Sequence, residues 1–238
     1  MRFKIRSLIS IIRLTGLAVA ALAMWGFATI AQEVLEKETY AFDTSILLAL
    51  KKLHTPLLDR VMLGFTFLGE PKFLLVICVS LSIMLLVRHH RSEATTIAIA
   101  GAGAIGLNIL LKQLFSRPRP QLWERTVKVD FYSFPSGHAM VSMVMYGLLG
   151  YFLASRFPKQ RWWIYSFTIL LVAVIGLSRL YLGVHWPTDI IAGYTAGLVW
   201  LLACILSLEV WKQFRSSVRN PKEAFLSPHR SQEMTDDS

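Results

Sequence analysis

Six stretches without a single charged residue constrain this chain more than any other feature: residues 14–31, 73–87, 94–111, 139–155, 162–178 and 190–208. They run to 18, 15, 18, 17, 17 and 19 residues. Crossing roughly 30 Å of hydrocarbon at about 1.5 Å per residue takes about 20 residues, so each can span once a flanking residue or two enters the interface. The expected fold is therefore all-α, an integral membrane bundle of six helices. The second stretch is the shortest and is expected to borrow residues 63–69, with Glu70 and Lys72 at head-group level. A composition that is 54% hydrophobic and 17% charged, with mean hydropathy +0.50, excludes a water-soluble globule and a disordered chain. Cys78 and Cys204 both lie inside apolar stretches and read as small hydrophobes, not as a disulfide framework.

Orientation follows from where Lys and Arg fall. With the N-terminus in the cytoplasm, 14 basic residues occupy 55 inner positions against 11 in 79 outer ones. The positive-inside rule then places both termini in the cytoplasm of a multi-pass protein of the plasma or inner membrane. The first stretch also has the basic start and small residues of a cleavable signal, but its length favours an uncleaved anchor. Four regions result: a basic N-terminus and first helix (1–31), an external segment with a short amphipathic helix at 44–53 (32–72), a core of five spans (73–208), and a polar cytoplasmic tail (209–238). Trp162, Trp163 and Trp186 fall at span ends, where interfacial anchors are expected. The formal charge of +10 suits a protein that meets anionic head groups or phosphorylated substrates. Nucleic acid is excluded as a partner because no basic stripe interleaved with aromatics stands apart from the spans.

Three polar clusters sit at span ends, and the topology puts all of them on the outer side. Residues 112–120 read KQLFSRPRP, residues 135–138 read PSGH, and the third cluster runs Ser178, Arg179, five residues, His185, three residues, Asp189. Singly each has a bland reading: snorkelling cations, a turn with a helix cap, an interfacial ring. Together they supply what a phosphate site needs, namely fixed cations, a helix N-terminus and two histidines. Asp189, in the first turn of a helix opened by Pro187, can hold one ring proton of His185 and leave the other nitrogen to attack phosphorus. Ser136 and Gly137 would present backbone N–H groups to an anion, and Gly137 would allow close approach. His138 is placed to protonate the departing oxygen. Arg119 and Arg179 offer planar forks and Lys112 a point charge. No role is assigned to Arg117. The carboxylates in these loops, Glu124, Asp130 and Asp189, are too few for a two-metal cage, so neither a metal nor any other cofactor is expected.

At these residues the chain resembles the type 2 phosphatidic acid phosphatases, whose active site is shared with bacterial acid phosphatases and vanadium haloperoxidases. That family's pattern is Lys, six residues, Arg-Pro; Pro-Ser-Gly-His; Ser-Arg, five residues, His, three residues, Asp. It is met at Lys112, Arg119, Pro120, Pro135, Ser136, Gly137, His138, Ser178, Arg179, His185 and Asp189. The resemblance implies a metal-independent phosphomonoesterase or pyrophosphatase working through a phosphohistidine on His185, with His138 as acid. The expected substrate is a phosphorylated lipid of the outer leaflet: phosphatidate, its lyso form, phosphatidylglycerol phosphate or a polyprenyl diphosphate such as undecaprenyl diphosphate. No obligate protein partner is readable. A lipid phosphotransferase would keep the same site and use an acceptor other than water. A haloperoxidase gives no purpose to six spans. A transporter predicts ionisable residues in mid-span, and the six stretches have none.

Overall fold

The computed structural model describes residues 2–124 and 132–219, with side chains from 14 to 215. Within them the chain forms eight α-helices: α1 (Arg2–Leu35), α2 (Tyr40–Lys51), α3 (Pro56–Leu68), α4 (Pro71–Val87), α5 (Arg91–Phe115), α6 (Gly137–Arg156), α7 (Arg161–Tyr181) and α8 (Pro187–Arg219). A 3-10 turn, Pro158–Gln160, joins α6 to α7. Five helices are long and apolar enough to cross a membrane, and α3 with α4, bent by 44° at their junction, brings the number to six if the pair counts as one broken span. The all-helical membrane bundle holds, with the expected six spans as the upper count. Residues 63–69 indeed extend the second span, but through a break: Pro71 has no N–H to give and forces Glu70 out of the helical region, to ψ 123°.

Helix starts follow local chemistry. Thr55 Oγ1 accepts from the Leu58 N–H at 3.3 Å ahead of Pro56, and Pro71 and Pro187 open α4 and α8. Ser116 ends α5 in the left-handed region, at φ 44°. The amphipathic helix expected at 44–53 is α2, which begins four residues earlier. The tail beyond 219, like residues 125–131 with Asp130, lies outside the described residues; α8 itself continues to Arg219, well past the last apolar stretch.

The central helix is α6, packed by α4, α5, α7 and α8, with α1 laid against α8. Its inner face, Val141, Val144, Met145 and Leu148, meets Leu74 and Cys78 of α4, Ile97 and Ala100 of α5, and Leu201 and Cys204 of α8. Both cysteines are free and buried in this core, as small hydrophobes should be. Close approach of α8 to α6 depends on a small-residue pair four apart: a Cβ on Gly193 would lie 2.8 Å from the Ser136 carbonyl oxygen, and one on Gly197 2.8 Å from that of Met140. In hydrocarbon such steric fit replaces the hydrophobic drive. It also brings the first turns of α6 and α8 side by side.

Trp162 and Trp163 are 71% and 81% exposed at the start of α7, where anchors are expected. Trp186 is not an anchor. It is buried, donating from Nε1 to the Pro118 carbonyl at 3.0 Å, because the loop that carries it folds over the KQLFSRPRP segment.

Candidate active site

The loop between α7 and α8 turns sharply at Gly183, whose φ of +66° is costly for any residue with a Cβ. It delivers His185 to the end of the bundle, 2% exposed. His185 Nδ1 lies 3.2 Å from Asp189 Oδ2, four residues on and one helical turn below. The same oxygen accepts the Trp186 N–H at 2.9 Å, which fixes the carboxylate's rotation. With its Nδ1 proton held by Asp189, the imidazole presents the Nε2 lone pair. That nitrogen faces Arg119 Nη1 at 3.3 Å. Burial first, then the charges of Arg119, Lys112 and Arg179, holds His185 well below the ordinary histidine range, so the ring is neutral.

Arg119 is itself anchored by donating from Nη1 to the Val184 carbonyl at 2.8 Å. Arg179, on the last turns of α7, is 3% exposed and donates from Nη1 to Thr66 Oγ1 of α3 at 2.7 Å. Its Nε is buried without a partner among the described residues. A buried guanidinium with an unused donor has the chemistry to take an anion. Lys112 donates from Nζ to the Tyr132 carbonyl at 2.5 Å.

His138 opens α6 and is 8% exposed. Its Nε2 lies 3.2 Å from Glu70 Oε2, at the α3–α4 break. Sequence reasoning put Glu70 at head-group level and gave it no site role; the bend alone aims it at His138. The first turn of α6 offers N–H groups with no helical acceptor, but not all of them are free. The Ser136 N–H donates to the Asp189 carbonyl at 3.0 Å, and the Ser136 hydroxyl oxygen accepts from the Ala139 N–H at 3.5 Å. The expectation that Ser136 presents its N–H to an anion is therefore corrected: that group ties α6 to α8. A Cβ on Gly137 would come 2.9 Å from Asn108 Oδ1, whose side-chain amide donates to the Pro135 carbonyl at 3.1 Å. A larger residue there would have to push the Asn108 amide aside, so packing against α5 bears on this glycine as well as anything docked on the N-terminus.

Three sequence-distant clusters, at the end of α5 and the segment after it, at the start of α6, and from the end of α7 to the start of α8, meet at one end of the bundle. Two residues to which the sequence analysis gave no function also belong to this region. Arg117 is 4% exposed instead of snorkelling, and bonds Asp189 Oδ1 from Nη1 at 2.7 Å. His54 stacks on Tyr181 at 4.1 Å and contacts its carbonyl at 2.9 Å, clasping the α2–α3 turn to the end of α7. Arg117 is visible in the sequence as a cation of the first cluster but without a role, and His54 has no sequence signal beyond its residue type. Among the described residues, no three His, Cys, Asp or Glu side chains converge as a metal site would require.

Comparison with known proteins bears on what such a site belongs to. Residues 93–213 match the family model described as the PAP2 superfamily. Phosphatidylglycerophosphatase B of Bacillus subtilis is 31% identical over 177 residues, which cover 73% of this chain and 86% of that protein. An undecaprenyl-diphosphatase of Sulfolobus acidocaldarius is 32% identical over 49% of this chain and 55% of its own length. The crystal structure of the transmembrane PAP2-type phosphatidylglycerolphosphate phosphatase of B. subtilis superposes with a TM-score of 0.74 at 29% identity, over 80% of this chain and 96% of that one. These relatives are membrane lipid phosphatases, and the family match spans the three clusters that meet at the end of the bundle. The chain belongs to the PAP2 superfamily.

Proposed function

We propose that this protein hydrolyses the terminal phosphate of a membrane lipid, a monoester such as phosphatidate or phosphatidylglycerol phosphate or a polyprenyl diphosphate, by way of a phosphohistidine on His185. The observation that carries this reading is the His185–Asp189 contact at 3.2 Å, with Nε2 turned toward Arg119. The Nε2 lone pair attacks phosphorus while the bond to the leaving oxygen breaks. His138 gives that oxygen its proton, and Asp189 balances the charge of the phosphorylated imidazole. Arg119, Arg179 and Lys112 hold the equatorial oxygens, joined by the free N–H groups at the start of α6. Water then attacks phosphorus, loses a proton to His138, and the P–N bond breaks to free inorganic phosphate and restore His185.

Two expectations test this reading. The charge that builds on phosphorus is met by fixed side-chain cations, so phosphate release from lipid phosphates and diphosphates is expected to persist in chelator. Vanadate is expected to inhibit by forming a trigonal bipyramid on His185. Loss of activity in chelator, restored by magnesium, would refute the metal-free mechanism. The second concerns sidedness. The charge count supports termini in the cytoplasm and a site on the outer or periplasmic face. A cysteine placed at Thr126, between α5 and α6, should then be labelled by an impermeant maleimide from outside intact cells. Labelling only from the cytoplasmic side would invert the topology.

A further inference from the structure

Arg117 has no part in the chemistry above, yet it is buried and bonded through both terminal nitrogens. Its guanidinium forks between two carboxylates: Nη1 donates to Asp189 Oδ1 and Nη2 to Asp43 Oδ2, each at 2.7 Å. Nη1 also reaches Thr188 Oγ1 at 2.8 Å, and Nη2 reaches Thr39 Oγ1 at 3.0 Å. Tyr40 and Trp186 close over it, their ring centroids 5.6 and 5.5 Å from Cζ. Asp43 comes from α2, outside all three sequence clusters. It is 0% exposed, like Asp189. Its Oδ1 accepts the Thr188 N–H at 3.0 Å, in the first turn of α8, and its Oδ2 accepts the Thr188 hydroxyl at 2.7 Å.

A buried cation bonded only to Asp189 would orient that carboxylate and also cancel the negative charge His185 needs beside it. A second carboxylate on the same cation removes the conflict. Two carboxylates and one guanidinium leave one negative charge in a dry pocket, where electrostatic interactions are strong. That charge is matched when His185 becomes a cation on phosphorylation. Resting on the phosphohistidine reading, we propose that Asp43 and Arg117 are positioning residues for Asp189: Arg117 fixes its rotation, and Asp43 shares the guanidinium's charge so that Asp189 still stabilises the phosphorylated His185. Helix α2 is then a working part of the site, not only an external ornament on the bundle.

The test is a mutant cycle in the full-length protein, with lipid phosphate as substrate and the melting temperature followed in parallel. Asp43→Asn keeps an oxygen for the Thr188 N–H, but removes the charge and sets an amide NH2 where Oδ2 accepts from Arg117 and the Thr188 hydroxyl, so the shared guanidinium bond goes with the charge. It is expected to lower kcat by about 10-fold to 100-fold, the usual range for residues that orient a working ligand, with KM little changed. In an Asp189→Asn background the same substitution should cost nothing more, because its effect runs through Asp189. A purely structural role would cost equally in both backgrounds and would overturn the proposal, as would an unchanged kcat in Asp43→Asn. If Asp43→Asn does not fold, Arg117→Lys enters the same cycle: an ammonium keeps the charge but cannot fork to both carboxylates, and the same two outcomes decide. His185→Ala is assayed alongside. Substantial turnover there refutes the phosphohistidine reading, whereas an inactive His185→Ala with undiminished kcat in Asp43→Asn refutes the positioning role alone.

Discussion

His185→Ala is expected to abolish turnover of every substrate, whatever group departs. On the proposed phosphohistidine mechanism the imidazole receives the phosphoryl group, and neither Asp189 nor the cations would substitute for it. Loss of a covalent nucleophile costs on the order of 10,000-fold or more, the residue being what binding and charge stabilisation still achieve. Burial and the surrounding cations hold the ring below the ordinary histidine range, which favours the unprotonated Nε2 that attack requires. Phosphate release from phosphatidate, from a polyprenyl diphosphate and from an aryl phosphate, together with trapping of acid-labile phosphoenzyme, checks this. Substantial release by the variant from any of the three would overturn the covalent mechanism.

His138→Ala is expected to discriminate between leaving groups. An alkoxide departs poorly without a proton, so hydrolysis of phosphatidate should fall by about 100-fold to 10,000-fold, the range for a general acid. A nitrophenolate needs little protonation, and the same variant should keep a larger share of its rate on the aryl ester. Phosphoenzyme should accumulate, because water in the second step lacks its base. Comparing the ratio of the two rates in wild type and variant decides the matter. Parallel losses on both substrates would make His138 a phosphate ligand and not a proton donor.

The contrast between these histidines shows which physical facts were readable along the chain. His185 and Asp189 are four residues apart at a helix start, so their contact follows from helix geometry and needed no fold. The spans were legible for a similar reason: a bilayer imposes one length and one composition on whatever crosses it. His138 was legible as a helix-capping position after Ser136, but its neighbour Glu70 was not. Glu70 reaches it only because Pro71 breaks the second span and α3 and α4 meet at 44°.

What the sequence by itself determined is therefore local or bilayer-imposed: the apolar spans, and the residue types of three polar clusters at their ends. The tertiary structure decided which of those groups face one another and which are already committed. It took the Ser136 N–H for the Asp189 carbonyl, assigned the tightness at Gly137 to Asn108, and pulled Trp186 off the interface to cover Arg117. It also joined Asp43 to Asp189 across 146 positions through a single guanidinium. Such contacts leave no periodic trace, because they depend on how closely whole helices approach, and that distance is set by side chains elsewhere, Gly193 and Gly197 among them.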